Sequence, residues 1–262
     1  MNRVIAFLIL FLFIQPATAC LILVIADGKQ VLVGNHEDWY AQDSQVMVVP
    51  PTGKKYGFVG FGFASEEYIQ GGMNTAGLFF DGTATPFVSV DFSDKPAYTG
   101  YLWQAILENC ATVEEAVAFV KTYKVPDLQK VHVSFADKRG NSVIIGAYEG
   151  ELTYHYRNNQ SYQLLTNFNI TNPEYGNEPV CQRFQKANLL LQKDSAATVS
   201  NITHILSQTH QQELTVYSTI YDLTRGEVYV FNKADFSRSV KLNLANELQK
   251  GKQQRLLPYL FK

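Results

Sequence analysis

The sequence has little cysteine, with only Cys20, Cys110 and Cys181 in 262 residues. Any pairing leaves one thiol over. A Cys110–Cys181 bridge would leave Cys20 free, and the sequence leaves both that bridge and a simply buried Cys110 open. Neither sign of charge dominates, with 22 Lys and Arg against 24 Asp and Glu and a net charge of −2. No basic block occurs, so nothing points to nucleic acid or to an anionic membrane surface. After residue 14 no stretch is long or apolar enough to span a bilayer, so no integral membrane segment is expected beyond the N-terminus. The five histidines lack metal-ligand spacing, and no glycine-rich phosphate loop leads into a helix. No metal and no cofactor are therefore expected. Internal repeats, low-complexity tracts and linkers are also missing, which favours one domain over residues 20–262.

The N-terminus does carry a signal. Arg3 gives a positive start, Val4 to Ile14 form an apolar run, and Ala17-Thr18-Ala19 is an A-x-A cleavage site. That reads as a secretory signal peptide over residues 1–19, too short for a spanning helix, with signal peptidase as the maturation partner. Cleavage after Ala19 makes Cys20 the first residue of an exported, periplasmic or secreted chain. A cysteine in that place also fits a lipoprotein anchor, but such sites usually carry leucine three places earlier, where Ala17 stands here.

Along the rest of the chain, short apolar segments predict strands at 21–25, 30–33, 45–49, 56–63 and 77–80, the first two joined through Asp27-Gly28. Helical periodicity then covers 98–110 and 113–123, the second opened by the capping box Thr112-Val113-Glu114-Glu115. Strands return at 131–135, 142–145, 152–156 and 162–165, helices at 182–191 and 197–207, and strands at 215–221, 227–231 and 240–242. Two batches of strands, each followed by a helical pair, predict two sheets covered by helices.

An N-terminal cysteine combines nucleophile and base in one residue. Its α-amine, with a reference pKa of about 8, can take the thiol proton near neutral pH and return it to a leaving amine. Cys20-Leu21-Ile22-Leu23 followed by Gly34-Asn35-His36-Glu37-Asp38-Trp39 resembles the opening of the choloylglycine hydrolase, penicillin V acylase and acid ceramidase-like superfamily of N-terminal-nucleophile (Ntn) hydrolases. Gly71-Gly72-Met73-Asn74-Thr75-Ala76-Gly77-Leu78, Tyr101-Leu102-Trp103, Leu164-Leu165-Thr166-Asn167, Arg183-Phe184, Ser218 to Asp222 and Glu227 to Phe231 resemble its later segments, in the family's order.

The resemblance implies an α+β fold, the four-layer αββα sandwich with two antiparallel sheets. It implies hydrolysis of a linear amide C–N bond in an N-acylated small molecule through an acyl-Cys20 intermediate. Acyl transfer by the same intermediate and a non-enzymatic, lipid-anchored binding protein are the alternatives, and a homo-oligomer stays open. Cys20 matches the nucleophile, Asp38 the carboxylate that orients its α-amine, Asn167 the oxyanion donor and Arg183 a bracing cation, with Arg225 as a rival. Asn35 stands where the bile-salt and ceramide branches carry arginine. Its place, and the eighteen positions from Cys20 to Asp38, resemble the isopenicillin N acyltransferase-like branch. After the Gly-Met-Asn motif the chain reads Asp81-Gly82-Thr83-Ala84, so backbone N–H groups at Gly82 or Thr83 are expected to replace a second oxyanion asparagine. Asn35, Gly82 and Thr83 are thus expected to face the substrate. His36 is read as a loop residue as readily as a site residue, and the phenylalanines at 58, 61, 63, 79 and 80 as strand core or an acyl slot. Intact mass and N-terminal sequencing of exported protein should show a chain starting at Cys20 with a free amine and thiol; a diacylglycerol adduct or another N-terminus would remove the catalytic reading.

Overall fold

The computed structural model describes residues 20–172 and 181–262. The signal-peptide reading of residues 1–19 lies outside the described residues. Within the described residues, fourteen strands make two sheets whose neighbouring strands are all antiparallel. The first sheet contains β1 (Leu21–Ala26), β2 (Val31–Asp38), β10 (Tyr162–Leu165), β11 (Thr215–Asp222), β12 (Glu227–Asn232) and β13 (Ser239–Asn243), in the order β10-β1-β2-β11-β12-β13. The second contains β3 (Ser44–Val49), β4 (Phe58–Phe63), β5 (Ile69–Asn74), β6 (Leu78–Ala84), β7 (Val131–Asp137), β8 (Ser142–Tyr148), β9 (Glu151–Tyr156) and β14 (Gln253–Leu256), in the order β14-β3-β4-β5-β6-β7-β8-β9.

Three apolar layers hold these sheets. Between them, Val24, Val33, Tyr221 and Val230 pack on Val46, Phe61, Met73 and Phe79. Helices α1 (Leu102–Asn109) and α2 (Val113–Thr122) cover the outer face of the second sheet, setting Ile106 and Val117 against Phe80 and Phe135. Helices α3 (Gln182–Lys193) and α4 (Val199–Thr209) cover the first, with Leu191, Ile202 and Ile205 against Leu23 and Ile220. The result is the αββα sandwich that the sequence resemblance implied. Strand β1 shows why its sequence is apolar without alternation: Leu21, Leu23 and Ile25 face the helices while Ile22 and Val24 face the other sheet. A strand covered on both sides has no polar face to alternate with.

Local chemistry sets the boundaries. The Thr112 hydroxyl accepts the Glu115 N–H at 3.2 Å, and the Glu115 carboxylate accepts the Ala111 N–H, so the expected cap opens α2. Helix α1 starts at Leu102 rather than at 98, because Gly100 has φ of 104°, a conformation outside the right-handed helical region. Strand β2 runs five residues past its expected end, and the motif stretch Gly34 to Asp38, which the sequence reading assigned to no strand, is a buried part of it. Strand β5, the last helix α5 (Leu244–Gln249) and β14 have no counterpart in the sequence reading. In β5 the pair Gly71-Gly72 looks like punctuation, yet each is a point of close approach. A Cβ on Gly72 would collide with the Val59 carbonyl oxygen of β4, and one on Gly71 with the Asp81 carboxylate of β6.

Gly72→Ala is accordingly expected to lower stability by about 1–3 kcal/mol, since backbone has to move to admit the methyl group. Thermal unfolding checks this; an unchanged Tm would show that the β4–β5 pair is looser than its geometry.

Candidate active site

Strand β2 lies between β1 and β11, with Leu21 opposite His36, Thr219 opposite Asn35 and Thr215 opposite Asp38. Alternation sends Asn35 and Glu37 into the space between the sheets and His36 toward the helices. Continuing the β1–β2 register by one residue sets Cys20 opposite Glu37, and the thiol donates to Glu37 Oε1 at 3.6 Å. Asp38 ends the strand. Its carboxylate pairs with Arg183 Nη1 at 2.7 Å and accepts from the Thr215 hydroxyl. Arg183, in the first turn of α3, also donates through Nη2 to the Cys20 carbonyl at 3.3 Å. One guanidinium thus fixes the backbone of Cys20 and the carboxylate beside it. Arg225, the rival, is largely exposed and pairs with Asp222, so it has no part here.

Cys20 and Asp38 open onto a cavity of about 560 Å³, with Glu37, Gly82, Thr83 and Asn167 also in its lining. Asn167 follows β10 and donates Nδ2 to the Ala84 carbonyl at 2.8 Å, which bridges the two sheets and leaves its second N–H for another acceptor. The backbone N–H of Gly82 is already given to Asp81 Oδ1 at 2.7 Å, and the Thr83 hydroxyl to the Thr166 carbonyl at 3.2 Å. Gly82 therefore does not supply the free donor expected of it. Asn35 needs correction as well. It is buried, donates to Asp81 Oδ2 at 2.7 Å and is not part of the cavity lining. Its register position points it at β6 beneath the cavity rather than into it.

Other expectations shift in the same way. His36 is a buried strand residue bonded to Ser218 Oγ at 2.8 Å and the Leu206 carbonyl at 3.1 Å; burial pushes it down to about 3, so it is a neutral structural group. Of the phenylalanines, Phe63 and Phe80 border the cavity, whereas Phe58, Phe61 and Phe79 belong to the packed layers. The three cysteines are unbridged, with Cys110 buried under α1 and α2 and Cys181 near the inter-sheet core. Among the described residues no cluster of three metal-ligating side chains occurs, and no helix is long and apolar enough to cross a membrane.

The sequence reading missed the wall of the cavity and the buried acids under it. Tyr68 and Tyr101 stack at 4.8 Å, and Trp103 donates its indole N–H to Asp127 Oδ2 at 3.0 Å. Glu66, Gln70 and Lys130 complete that side. Glu37 and Asp81 stood inside the quoted segments but were given no role there; only the alternation along β2, once its full length is known, shows that Glu37 faces inward. Burial, and the neighbouring carboxylates after it, hold Glu37 well above the ordinary carboxylate range. Burial pushes Asp81 up to about 7 against the pull of its Gly82 and Asn35 hydrogen bonds, and Asp38 up to about 6 despite Arg183 and Thr215. Burial also raises the Cys20 thiol, and the charges of Glu37 and Asp38 add to the rise.

These observations meet the comparisons with known proteins. Residues 26–255 match the family described as Acyl-coenzyme A:6-aminopenicillanic acid acyl-transferase. The chain belongs to that family. No curated protein matches the chain. Penicillin V acylase from Agrobacterium tumefaciens superimposes with a TM-score of 0.64 at 18% identity, covering 81% of this chain and 82% of its own. A mutant of conjugated bile acid hydrolase from Clostridium perfringens gives 0.67 at 17% identity, with 90% and 95% covered. A Caenorhabditis elegans ortholog of N-acylethanolamine-hydrolyzing acid amidase gives 0.59 at 18% identity, with 78% and 93% covered. At these identities the likeness is one of fold.

The raised pKa of Asp81 has a consequence for stability. The folded form holds a proton that the unfolded chain gives up near 3.8, so this stabilisation is complete below that pH and is lost as pH rises through about 7. Asp38 acts with the same sign up to about 6. Asp81→Asn should therefore lose less Tm between pH 5 and pH 8 than the wild type, by on the order of a few degrees. Parallel pH slopes in thermal unfolding would overturn the assignment.

Proposed function

We propose that the protein is a cysteine Ntn hydrolase that cleaves the linear amide bond of an N-acylated small molecule, with Cys20 as nucleophile and its α-amine as base. The observation that carries this reading is the constellation at Cys20: a thiol at the edge of the cavity, with its carbonyl and Asp38 both held by Arg183. Removal of residues 1–19 in an exported protein would give Cys20 its free amine. An ammonium formed there adds a cation beside buried carboxylates, favouring their ionised forms and that of the thiol.

The chemistry then follows from the groups present. The amine takes the thiol proton, and the sulfur electron pair forms a bond to the carbonyl carbon while the carbonyl π electrons move onto oxygen. The second N–H of Asn167, not used in the bond to Ala84, would donate to that oxyanion, where a preorganised donor contributes about 3 kcal/mol. Collapse breaks the C–N bond, and the leaving nitrogen takes the proton from the ammonium. Water, deprotonated by the same amine, releases the acid from acyl-Cys20. An amine in place of water gives acyl transfer, the second reading, which the family description favours.

The lining bears on the substrate. Phe63, Phe80, Tyr68, Tyr101, Trp103, Val131 and Val133 offer an apolar surface for a modest acyl group. Glu66 and Asp127 stand on the same wall, with Lys130 as its cation. A substrate with an anionic amine portion, such as a glycine or taurine conjugate, would meet like charge there, so a neutral or cationic amine portion fits better. The bile acid hydrolase and penicillin V acylase neighbours supply test substrates.

Cys20→Ser should abolish turnover across a panel of N-acyl amides, penicillin V and conjugated bile salts, while Cys110→Ala retains it. Asn167→Ala should lower kcat by about 10²–10³. Equal activity in the two cysteine variants would reject Cys20 as nucleophile, and dominant bile-salt cleavage would reject the substrate class.

A further inference from the structure

The side chain nearest in role to the nucleophile is one that the mechanism above does not use. Glu37 is buried between the sheets and borders the cavity, and among the described residues its side chain has one hydrogen-bond partner, the Cys20 thiol. Among the same residues no arginine or lysine pairs with it; the guanidinium of Arg183 is taken by Asp38 and the Cys20 carbonyl. Asp81, by contrast, accepts hydrogen bonds from Asn35 and Gly82, so negative charge between the sheets rests more easily there.

We propose that Glu37 is a catalytic residue that works as a neutral carboxylic acid, turning its O–H onto the Cys20 sulfur once the thiol has given its own proton to the α-amine. The inference rests on the assignment of Cys20 as nucleophile. In the resting state the thiol donates to Glu37 Oε1. When the thiol proton moves to the amine the direction reverses: the carboxyl keeps its own proton and shares it with the thiolate until the S–C bond forms. Hydrogen bonds to charged groups are the stronger ones, and this one is shielded from water.

Every element packed around Glu37 bears on its protonation. On its own strand stands Asp38, on β6 Asp81, and on the β4–β5 connection Glu66, all acidic. Tyr217 and Tyr221 of β11 face it and Cys20 lies opposite. Two cations bear on it, Arg183 of α3, one step away through Asp38, and the ammonium formed at Cys20. Negative charge that they favour falls on Asp38 and Asp81, which have an ion pair or N–H donors, before Glu37, which has neither among the described residues. An ionised Glu37 would set a negative charge beside the sulfur and suppress the thiolate. The enzyme should consequently lose activity as pH rises through the ionisation of Glu37, well above the ordinary carboxylate range.

The experiment compares wild type, Glu37→Gln and Glu37→Ala by kcat/KM against pH, and separately by the pH dependence of Cys20 alkylation with iodoacetamide, read by peptide mass. Glutamine keeps a donor and cannot ionise. It should move the alkaline fall upward and raise Cys20 alkylation at pH 8 by about tenfold, a shift of one unit in thiol pKa. Alanine, with no donor, should lower kcat/KM by roughly ten- to a hundredfold at the wild-type optimum, and glutamine by less. Alkylation and activity profiles of Glu37→Gln that coincide with wild type would overturn the proposal. So would a folded Glu37→Gln as impaired as Glu37→Ala, which would mean that the carboxylate form is needed. An active Cys20→Ser would instead sink the nucleophile assignment, and the alkylation arm would still report whether Glu37 governs the thiol.

Discussion

The register of β2 is the constraint on which the rest of the molecule depends. All eight of its residues are buried, and it pairs with β1 from Val31 to His36 and with β11 from Leu32 to Asp38. Because strand side chains alternate, that register decides at once what enters the inter-sheet space and what enters the helical layer. A slip of one residue would exchange Asn35 and Glu37 for His36 and Asp38. It would put His36 where Asn35 now meets Asp81 and draw Asp38 away from the strand end at which Arg183 meets it. The outer contacts hold the register from the other side: His36 is tied to β11 and α4, and Gly34 leaves room for Ile202.

The cost of this arrangement is a group of carboxylates whose nearest cation, Arg183, is already engaged. Glu37, Asp38 and Asp81 are all buried, and burial raises each of them. Desolvation of that kind is unfavourable in a purely structural setting and characteristic of sites where protons move. The three acids are distinguished by their partners. Asp38 has a cation and a hydroxyl, Asp81 an amide and a backbone N–H, Glu37 a thiol. Unequal partners on similar groups separate their protonation behaviour.

Much of this was legible in the sequence, and the parts that were not share a physical reason. Period and capping gave the helical pairs, and apolar runs gave most strands, because those elements bury whole faces. The sandwich followed from the ordered segments from Cys20 to Phe231. Strand β2 was cut short because Asn35, His36, Glu37 and Asp38 are polar, and polarity reads as solvent until a second sheet and a helix layer are known to cover them. Strand β5 was lost to its paired glycines, whose use is close approach rather than turning. At the site, Cys20, Asp38, Asn167 and Arg183 come together around one cavity or one ion pair. Asn35 was misplaced because a single position in a motif does not say which neighbour lies across the gap. The aromatic and acidic wall from Glu66 to Lys130 is assembled by tertiary folding from segments with no shared pattern.

The hydrogen bond from Arg183 to the Cys20 carbonyl bears on how such a protein could be switched on. Cys20 is gripped from its C-terminal side, by that carbonyl and by β1 lying between β10 and β2, while none of those contacts uses its nitrogen. Proteolysis just upstream would therefore convert an amide into an amine without asking any strand to move. The precursor would be a finished machine with one atom capped, and activation a change of basicity at that atom instead of a change of shape. Such a design would tie the onset of chemistry to wherever the upstream bond is cut.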